Sequence, residues 1–163
     1  MTSRPASIRN VAWAVVRDGS ASRHVYRRDV DLFLKDGRIV EITPAGARPP
    51  QGNEPVLDGT GMLALPGLVN IHSHPTTEPG YRGVREDHGV PEQQMTGLIE
   101  RLQAFRLGED GRSAAAEMSY SEMLRAGTTT ACDVTVPFDG WLETMVRSGM
   151  RFYAGPTFAS TLA

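Results

Sequence analysis

Cysteine, aromatic side chains, net charge and long apolar runs are all scarce in this chain of 163 residues. The single cysteine, Cys132, excludes an internal disulfide and favours a reducing compartment. A formal net charge of −2 leaves no basic field for nucleic acid or an anionic membrane, and 7% aromatic residues argue against a base-stacking platform. The first 21 residues contain polar or charged side chains every few positions, unlike a signal peptide or a membrane span. We therefore expect a cytoplasmic protein that binds neither nucleic acid nor membrane.

An ordinary globular composition is present, with 40% hydrophobic and 22% charged residues. The first 65 residues predict β-structure, because short apolar runs there are β-branched or alternate with a period of two. Asp36-Gly37 separates two such runs and predicts a hairpin with a type I′ turn, which requires positive φ at both central residues. Residues 43–55 are rich in Pro, Gly and Ala and predict a loop. The predicted strands are Val11–Val16, Val30–Leu34, Arg38–Ile42, Val56–Leu57 and Met62–Leu65.

Strands alternate with helices after residue 65, which predicts parallel strand pairing in an α/β fold. The predicted elements are a strand at Leu68–Ser73, a loop at Pro75–Val90, helices from Pro91, at Ser113–Ala126 and at Phe138–Met145, and strands at Thr128–Val134 and Met150–Phe158. The predicted apolar helix faces are Met95, Leu98, Ile99, Leu102 and Phe105 in the first helix and Ala116, Tyr120, Met123 and Leu124 in the second. Gly149 follows the apolar positions of the third helix and is predicted to close it.

The strand at Leu68–Ser73 leads into two histidines, His72 and His74. Alternate side chains of a strand share a face, so both imidazoles point the same way at its carboxyl end, where parallel α/β folds place their sites. Two adjacent imidazoles are suited to Zn²⁺, Fe²⁺ or Mn²⁺. The alternative is a pair of structural histidines that bond to loop carbonyls. The apolar run also predicts burial of the strand on both faces, with Val69 and Ile71 packed on helices.

Several segments in combination resemble the amidohydrolase superfamily, in its cytosine deaminase and chlorohydrolase-like branch. These segments are Leu65–His74, similar to its metal-binding strand; Asp31–Ile42 and Leu57–Leu65, similar to its small β-sandwich; Glu122–Thr130 with Asp133, similar to its second barrel strand; and Arg82-Gly83, similar to a loop feature. The resemblance covers most of the chain.

This resemblance implies the N-terminal part of a metal-dependent (β/α)8 TIM barrel, at residues 66–163, preceded by part of a small β-sandwich at residues 1–65. It implies one divalent metal, zinc or else iron or manganese, with His72 and His74 as ligands and the remaining ligands on later strands. The implied reaction is hydrolytic deamination of a small heterocyclic amine, such as a pyrimidine, purine or triazine, by metal-activated water. No catalytic acid or base is assigned within this chain.

Other polar residues carry further expectations. Arg82 and His88 follow the metal strand and are candidate substrate-binding residues, with a solvated polar loop as the alternative for these and for Asp87. A loop holds a metal less rigidly than a strand end, so His88 is not expected to be a ligand. Asp133 is expected either to brace the site or to cap a loop, and His24 to be structural or on the surface.

Two further functions remain open at this point. One is hydrolysis of an amide or cyclic amide with two metals, and the other is a catalytically incompetent, truncated or complemented chain. A (β/α)8 barrel needs about 250 residues, so residues 66–163 suffice for about three strand–helix units. We expect a continuation or a partner chain to supply the missing strands, and the protein could form homo-oligomers. Without those strands, we expect the isolated chain to be inactive and aggregation-prone.

Overall fold

The computed structural model describes residues 6–20, 22–49, 52–81 and 107–158. The chain divides into an N-terminal unit, Met1–Pro66, and a C-terminal unit, Gly67–Ala163. The predicted helix from Pro91 lies outside the described residues. Within the described ranges, no helix is both long and apolar enough to cross a membrane.

The N-terminal unit contains a five-stranded mixed sheet. Its strands are β1 (Ser7–Asp18), β2 (Arg23–Lys35), β3 (Arg38–Pro44), β4 (Val56–Asp58) and β5 (Leu63–Ala64). The sheet order is β3-β2-β1-β4, with β5 also paired to β1; β2 is antiparallel to β1 and β3, while β4 and β5 are parallel to β1. Asp36 and Gly37 have φ of 51° and 74°, which confirms the predicted hairpin.

The core of this unit lies between β1 and β2, where Val11, Ala14, Val30 and Leu32 are buried. The predicted strands are therefore present, and β1 and β2 extend well beyond the apolar runs that predicted them. Polar ends of a strand still pair through the backbone, so side-chain patterning underestimates its length.

A buried ion pair lies beside this core. Arg9 donates from Nη1 to Asp31 Oδ2 at 3.1 Å and packs over the ring of Phe33, with the guanidinium carbon 4.4 Å from the ring centroid. Asp31 also accepts hydrogen bonds from the backbone N–H groups of Asn10 and Gly46, at 2.9 and 3.0 Å. Burial alone raises the pKa of Asp31, but these backbone N–H groups and Arg9 outweigh it and hold the pKa below its ordinary value of 3.8.

The C-terminal unit is an α/β arrangement around a three-stranded parallel sheet of order β6-β7-β8. Its described elements are β6 (Leu68–Ser73), α1 (Glu78–Tyr81), α2 (Glu109–Arg125), β7 (Thr128–Thr135), α3 (Trp141–Ser148) and β8 (Arg151–Pro156). The predicted parallel pairing is confirmed. Gly149 closes α3 with φ of 73°, as its position after the last apolar residue predicted.

Helices α2 and α3 pack together through Ala116, Tyr120, Trp141 and Met145, against Phe152 of β8. The predicted buried face of α2 is partly wrong. Ala116 and Tyr120 are buried, but Leu124 is exposed and Met123 half-buried, while Ala115 and Ser119 take the buried positions. Small side chains let α2 approach its neighbours closely, and a search for large apolar residues overlooks such a face.

Strand β6 has the predicted bounds but not the predicted burial. Leu68, Val69 and Ile71 are 55%, 61% and 81% exposed. Among the described residues, the buried hydrophobic cluster of this unit comprises Ala116 and Tyr120 of α2 and Trp141 and Met145 of α3, with none from β6. The expectation that Val69 and Ile71 are buried against helices is therefore wrong in this structure.

Candidate metal site

The two histidines lie at the carboxyl edge of the parallel sheet. His72 is the penultimate residue of β6, and His74 follows the strand directly. Because β6, β7 and β8 are parallel, their carboxyl ends share this edge. Parallel α/β proteins build their sites at this edge.

The imidazoles of His72 and His74 converge on one another. Their Nε2 atoms are 3.0 Å apart, and the ring planes meet edge-on at 70° with centroids 4.9 Å apart. Two ring nitrogens each about 2.0–2.1 Å from a zinc ion lie about 3 Å apart at a right angle and about 3.4 Å apart at a tetrahedral angle. The observed separation therefore fits a pair of adjacent ligands on one divalent ion.

A backbone carbonyl fixes the orientation of the His74 ring. The Nδ1 of His74 lies 2.7 Å from the carbonyl oxygen of Val134, which can only accept, so Nδ1 carries the proton. In the neutral ring this leaves a lone pair on Nε2, the atom that faces His72. A carbonyl partner of this kind is the usual second contact of a metal-binding imidazole, because it sets the tautomer and the ring angle.

The backbone around both histidines is also satisfied locally. The His72 N–H donates to Asn70 Oδ1 at 3.1 Å, and the His74 N–H donates to Glu78 Oε1 at 3.2 Å. The His74 carbonyl accepts from the N–H groups of Thr77 and Glu78, at 2.9 and 3.0 Å. The chain therefore turns into α1 directly after the second histidine.

A buried polar cluster lies behind this edge, and we call it the Asp133 cluster: Asp133, Tyr120, Thr135 and Trp141. The Asp133 carboxylate is fully buried and accepts from the hydroxyls of Tyr120 and Thr135 and, at 3.1 Å, from Trp141 Nε1. Because Asp133 lies within β7, it does not cap a loop. Burial, together with the nearby Asp133 carboxylate, raises the pKa of Tyr120, which keeps its hydroxyl a donor.

Two buried serines near the site were not predicted as site residues. Ser73, between the two histidines, donates to the Cys132 carbonyl at 2.8 Å, and Ser119 of α2 donates to the Pro75 carbonyl at 2.9 Å. A polar residue between two candidate ligands is the signal that could have identified Ser73. Cys132 itself is half-buried.

The structure describes only some of the remaining predicted residues. Arg82, Asp87 and His88 lie outside the described residues, and the substrate-binding roles of Arg82 and His88 stay predictions. His24 is exposed on β2 of the other unit. Within the described ranges, no three His, Cys, Asp or Glu side chains form a group able to hold a metal. A catalytic zinc usually has three protein ligands, and the described part of the chain brings together two candidates, His72 and His74.

Several known proteins are similar in sequence to this chain. No family model matches the chain. It is 33% identical over 122 residues to the 5-methylthioadenosine/S-adenosylhomocysteine deaminase of Desulforudis audaxviator, covering 74% of this chain and 28% of that protein. It is 31% identical over 120 residues to the 5′-deoxyadenosine deaminase of Methanothermobacter thermautotrophicus, covering 74% and 27%.

The fold also matches a solved structure. A mutant of atrazine chlorohydrolase from Arthrobacter aurescens TC1, complexed with zinc and atraton, superimposes with a TM-score of 0.72 at 22% identity. The match covers 90% of this chain and 34% of that one, and at this identity it shows the fold alone. The chain thus spans about a quarter to a third of the length of these proteins. Together the matches confirm the family resemblance predicted from the sequence.

Proposed function

We propose that this chain, a relative of the deaminases and chlorohydrolases of the amidohydrolase superfamily, supplies two metal ligands of a metal-dependent aminohydrolase. One observation carries the proposal. The Nε2 atoms of His72 and His74 converge to 3.0 Å at the carboxyl edge of a parallel sheet, and the Val134 carbonyl leaves the Nε2 lone pair of His74 free to bind a metal. The named relatives are deaminases, and the structural neighbour contains zinc, which favours a divalent metal.

In this proposal the parallel sheet is the beginning of a (β/α)8 TIM barrel, and the mixed sheet is part of a β-sandwich. A continuation of the chain or a partner chain supplies the other strands and the further ligands. Each barrel strand contributes side chains at its carboxyl end, so a pair of ligands from one strand is a natural share of such a site.

The proposed reaction is hydrolytic deamination of a heterocyclic amine. The relatives are named for 5-methylthioadenosine, S-adenosylhomocysteine and 5′-deoxyadenosine, which favours an adenine-bearing nucleoside among the possible substrates. Water adds to the ring carbon that bears the amino group, the C–N bond breaks, and the nitrogen leaves as ammonia once it has gained a proton. A carbonyl replaces the amino group in the product.

The residues of this chain have defined tasks in that reaction. His72 and His74 would hold a single zinc ion through Nε2. A bound zinc ion supplies Lewis-acid chemistry that makes water a nucleophile near neutral pH. Val134 holds the His74 ring in the tautomer that offers its Nε2 lone pair, and we propose Arg82 and His88 as substrate contacts.

Metal binding gives the first test. We expect zinc added to the labelled chain to shift the imidazole NMR signals of His72 and His74 together, with His24 as an internal control. His72→Ala and His74→Ala should each abolish the response of the remaining partner, because a single imidazole is a weak ligand, whereas His24→Ala should not. Equal responses at all three histidines, or none at His72 and His74, would refute the proposed site.

Ammonia release gives the second test, in the assembly that completes the barrel. We expect 5′-deoxyadenosine or 5-methylthioadenosine to release ammonia with one zinc per active site, and His74→Ala to remove the activity while His24→Ala retains it. Two metals per site together with hydrolysis of a cyclic amide would instead support the amide hydrolase. A complete assembly that neither binds metal nor turns over either class would support the incompetent chain.

A further inference from the structure

We propose that Ser119 and Tyr120 of α2, together with Asp133 of β7, are positioning residues that hold the His74 imidazole in its metal-binding tautomer. This inference rests on the proposed function of His72 and His74. It assigns a role to three buried polar residues that the proposed chemistry does not otherwise use.

The first step is the contact between β7 and the end of β6. The carbonyl of Cys132 accepts from Ser73 Oγ at 2.8 Å, and the carbonyl of Val134 accepts from His74 Nδ1 at 2.7 Å. Carbonyls two residues apart point to the same side of a strand, here toward β6. The β6–β7 register is irregular between Asn70 and Ser73. At this end of the strand pair, the Cys132 and Val134 carbonyls therefore accept hydrogen bonds from side chains. The orientation of the His74 ring therefore depends on where β7 places Val134.

The second step is the anchoring of β7 itself. Asp133 lies between Cys132 and Val134, whose carbonyls accept these hydrogen bonds. Its buried carboxylate accepts from Tyr120, Thr135 and Trp141. Tyr120 belongs to α2 and Trp141 to α3, so the cluster ties this point of β7 to both helices. Three hydrogen bonds thus converge on one buried carboxylate. The residue before Val134 is therefore fixed to the helix layer.

The third step is the anchoring of the other side of the contact. Ser119, adjacent to Tyr120 on α2, donates to the carbonyl of Pro75, the buried residue that follows His74. Two neighbouring residues of α2 therefore hold the two sides of the His74–Val134 contact. Ser119 holds the His74 side through Pro75, and Tyr120 holds the Val134 side through Asp133. Because a helix turn is rigid, α2 fixes the distance between the Val134 carbonyl and the His74 ring.

The test removes single hydroxyl groups and measures the tautomer of His74. Tyr120→Phe and Ser119→Ala each delete one oxygen atom, and Thr144→Val is the control. Thr144 is equally buried in the same helix layer. Its hydroxyl donates to the Gly140 carbonyl, lies 3.3 Å from the Ser113 hydroxyl and accepts from Arg147, and none of these partners belongs to β6 or β7. Nitrogen-15 NMR of the metal-free chain reports which ring nitrogen of His74 carries the proton, and a zinc titration reports affinity.

We expect the wild-type chain and Thr144→Val to show the Nδ1–H tautomer. We expect Tyr120→Phe and Ser119→Ala to show a mixture of tautomers and about tenfold weaker zinc binding, the usual cost of losing a group that supports a metal-binding histidine. Asp133→Asn should act in the same direction, and if it fails to fold, the two hydroxyl deletions still decide the question.

Wild-type tautomer and affinity in both hydroxyl deletions would overturn the inference, as would an equal change in Thr144→Val. Failure of the proposed function gives a different result. If zinc does not bind the wild-type chain at all, the metal-free tautomer still shows whether α2 positions the His74 ring.

Discussion

Gly67 precedes the histidine-bearing strand, and its replacement by alanine tests how closely β6 and β7 approach. A Cβ atom at this position would lie 2.0 Å from Oγ1, 2.5 Å from Cγ2 and 2.7 Å from Cβ of Thr129. Rotation of the Thr129 side chain moves the first two atoms but leaves the third in place. Carbon atoms pack at about 3.5–4.0 Å, so β6 and β7 would have to separate by about 1 Å.

The cost follows from this geometry. Overpacking of a tight contact costs about 1–3 kcal/mol, and separation would also weaken the hydrogen bond from the Leu68 N–H to the Gly127 carbonyl, worth about 1 kcal/mol. We therefore expect Gly67→Ala to destabilise the C-terminal unit by about 2–4 kcal/mol. For a unit of this size, each kcal/mol lowers the Tm by about 4–8 °C, so the Tm should fall by at least about 8 °C.

Tryptophan fluorescence can follow this unit separately. The chain has two tryptophans, Trp13 in the N-terminal unit and Trp141 buried in the C-terminal unit. In a Trp13→Phe background, thermal unfolding detected by Trp141 reports on the C-terminal unit. Gly108→Ala is the control, because a Cβ there meets nothing within 4 Å, and it should cost no more than about 1 kcal/mol at the start of α2.

A double substitution then identifies the clash. Thr129→Ala removes the two closest atoms but keeps the 2.7 Å Cβ contact, so it should rescue Gly67→Ala only in part. If Gly67→Ala melts at the same temperature as Gly108→Ala, the close approach of the two strands does not exist and the reasoning fails.

Two further predictions concern the N-terminal unit. Asp31→Asn should cost about 3 kcal/mol, because it breaks the buried pair with Arg9. Because the folded-state pKa of Asp31 is below 3.8, its contribution is present above that pH and is lost as the pH falls through the folded-state value. Urea unfolding at a series of acidic pH values measures this loss. The free energy of unfolding should fall less with decreasing pH in Asp31→Asn than in the wild type or in Asp29→Asn, and an equal fall in all three would contradict the stabilising role of the Asp31 carboxylate. Gly37→Ala should destabilise the hairpin by about 1–2 kcal/mol, since φ is 74° there, and urea unfolding that matches the control Gly19→Ala would count against a strained turn.

The features that the sequence predicted well are those set by local rules. Asp36-Gly37 predicted its turn because few residue pairs accept two positive φ values. Gly149 predicted the end of α3 because glycine readily adopts the positive φ that closes a helix. The convergence of His72 and His74 followed from the period of two along a strand, which places alternate side chains on one face whatever the strand packs against.

The features that the sequence did not predict depend on partners distant along the chain. Periodicity identifies apolar faces, but the buried face of α2 contains Ser119, which is satisfied by the carbonyl of Pro75. The apolar character of Val69 and Ile71 predicted burial, yet it carries no information about which elements cover a strand. Asp133 could be placed near the site but not assigned its donors, because Tyr120 and Trp141 come from two different helices.

These distant contacts change how the histidine pair is understood. A His-x-His pair at a strand end places two rings on one face but leaves their tautomers open, and a ring protonated at Nε2 cannot bind a metal there. In this chain the Val134 carbonyl of β7 sets the tautomer of His74, and in our proposal the buried Asp133 carboxylate in turn fixes the position of β7. In the proposed site, the ability of the pair to bind a metal therefore depends on β6, β7 and α2 together. A substitution in the Asp133 cluster should impair metal binding without touching either histidine.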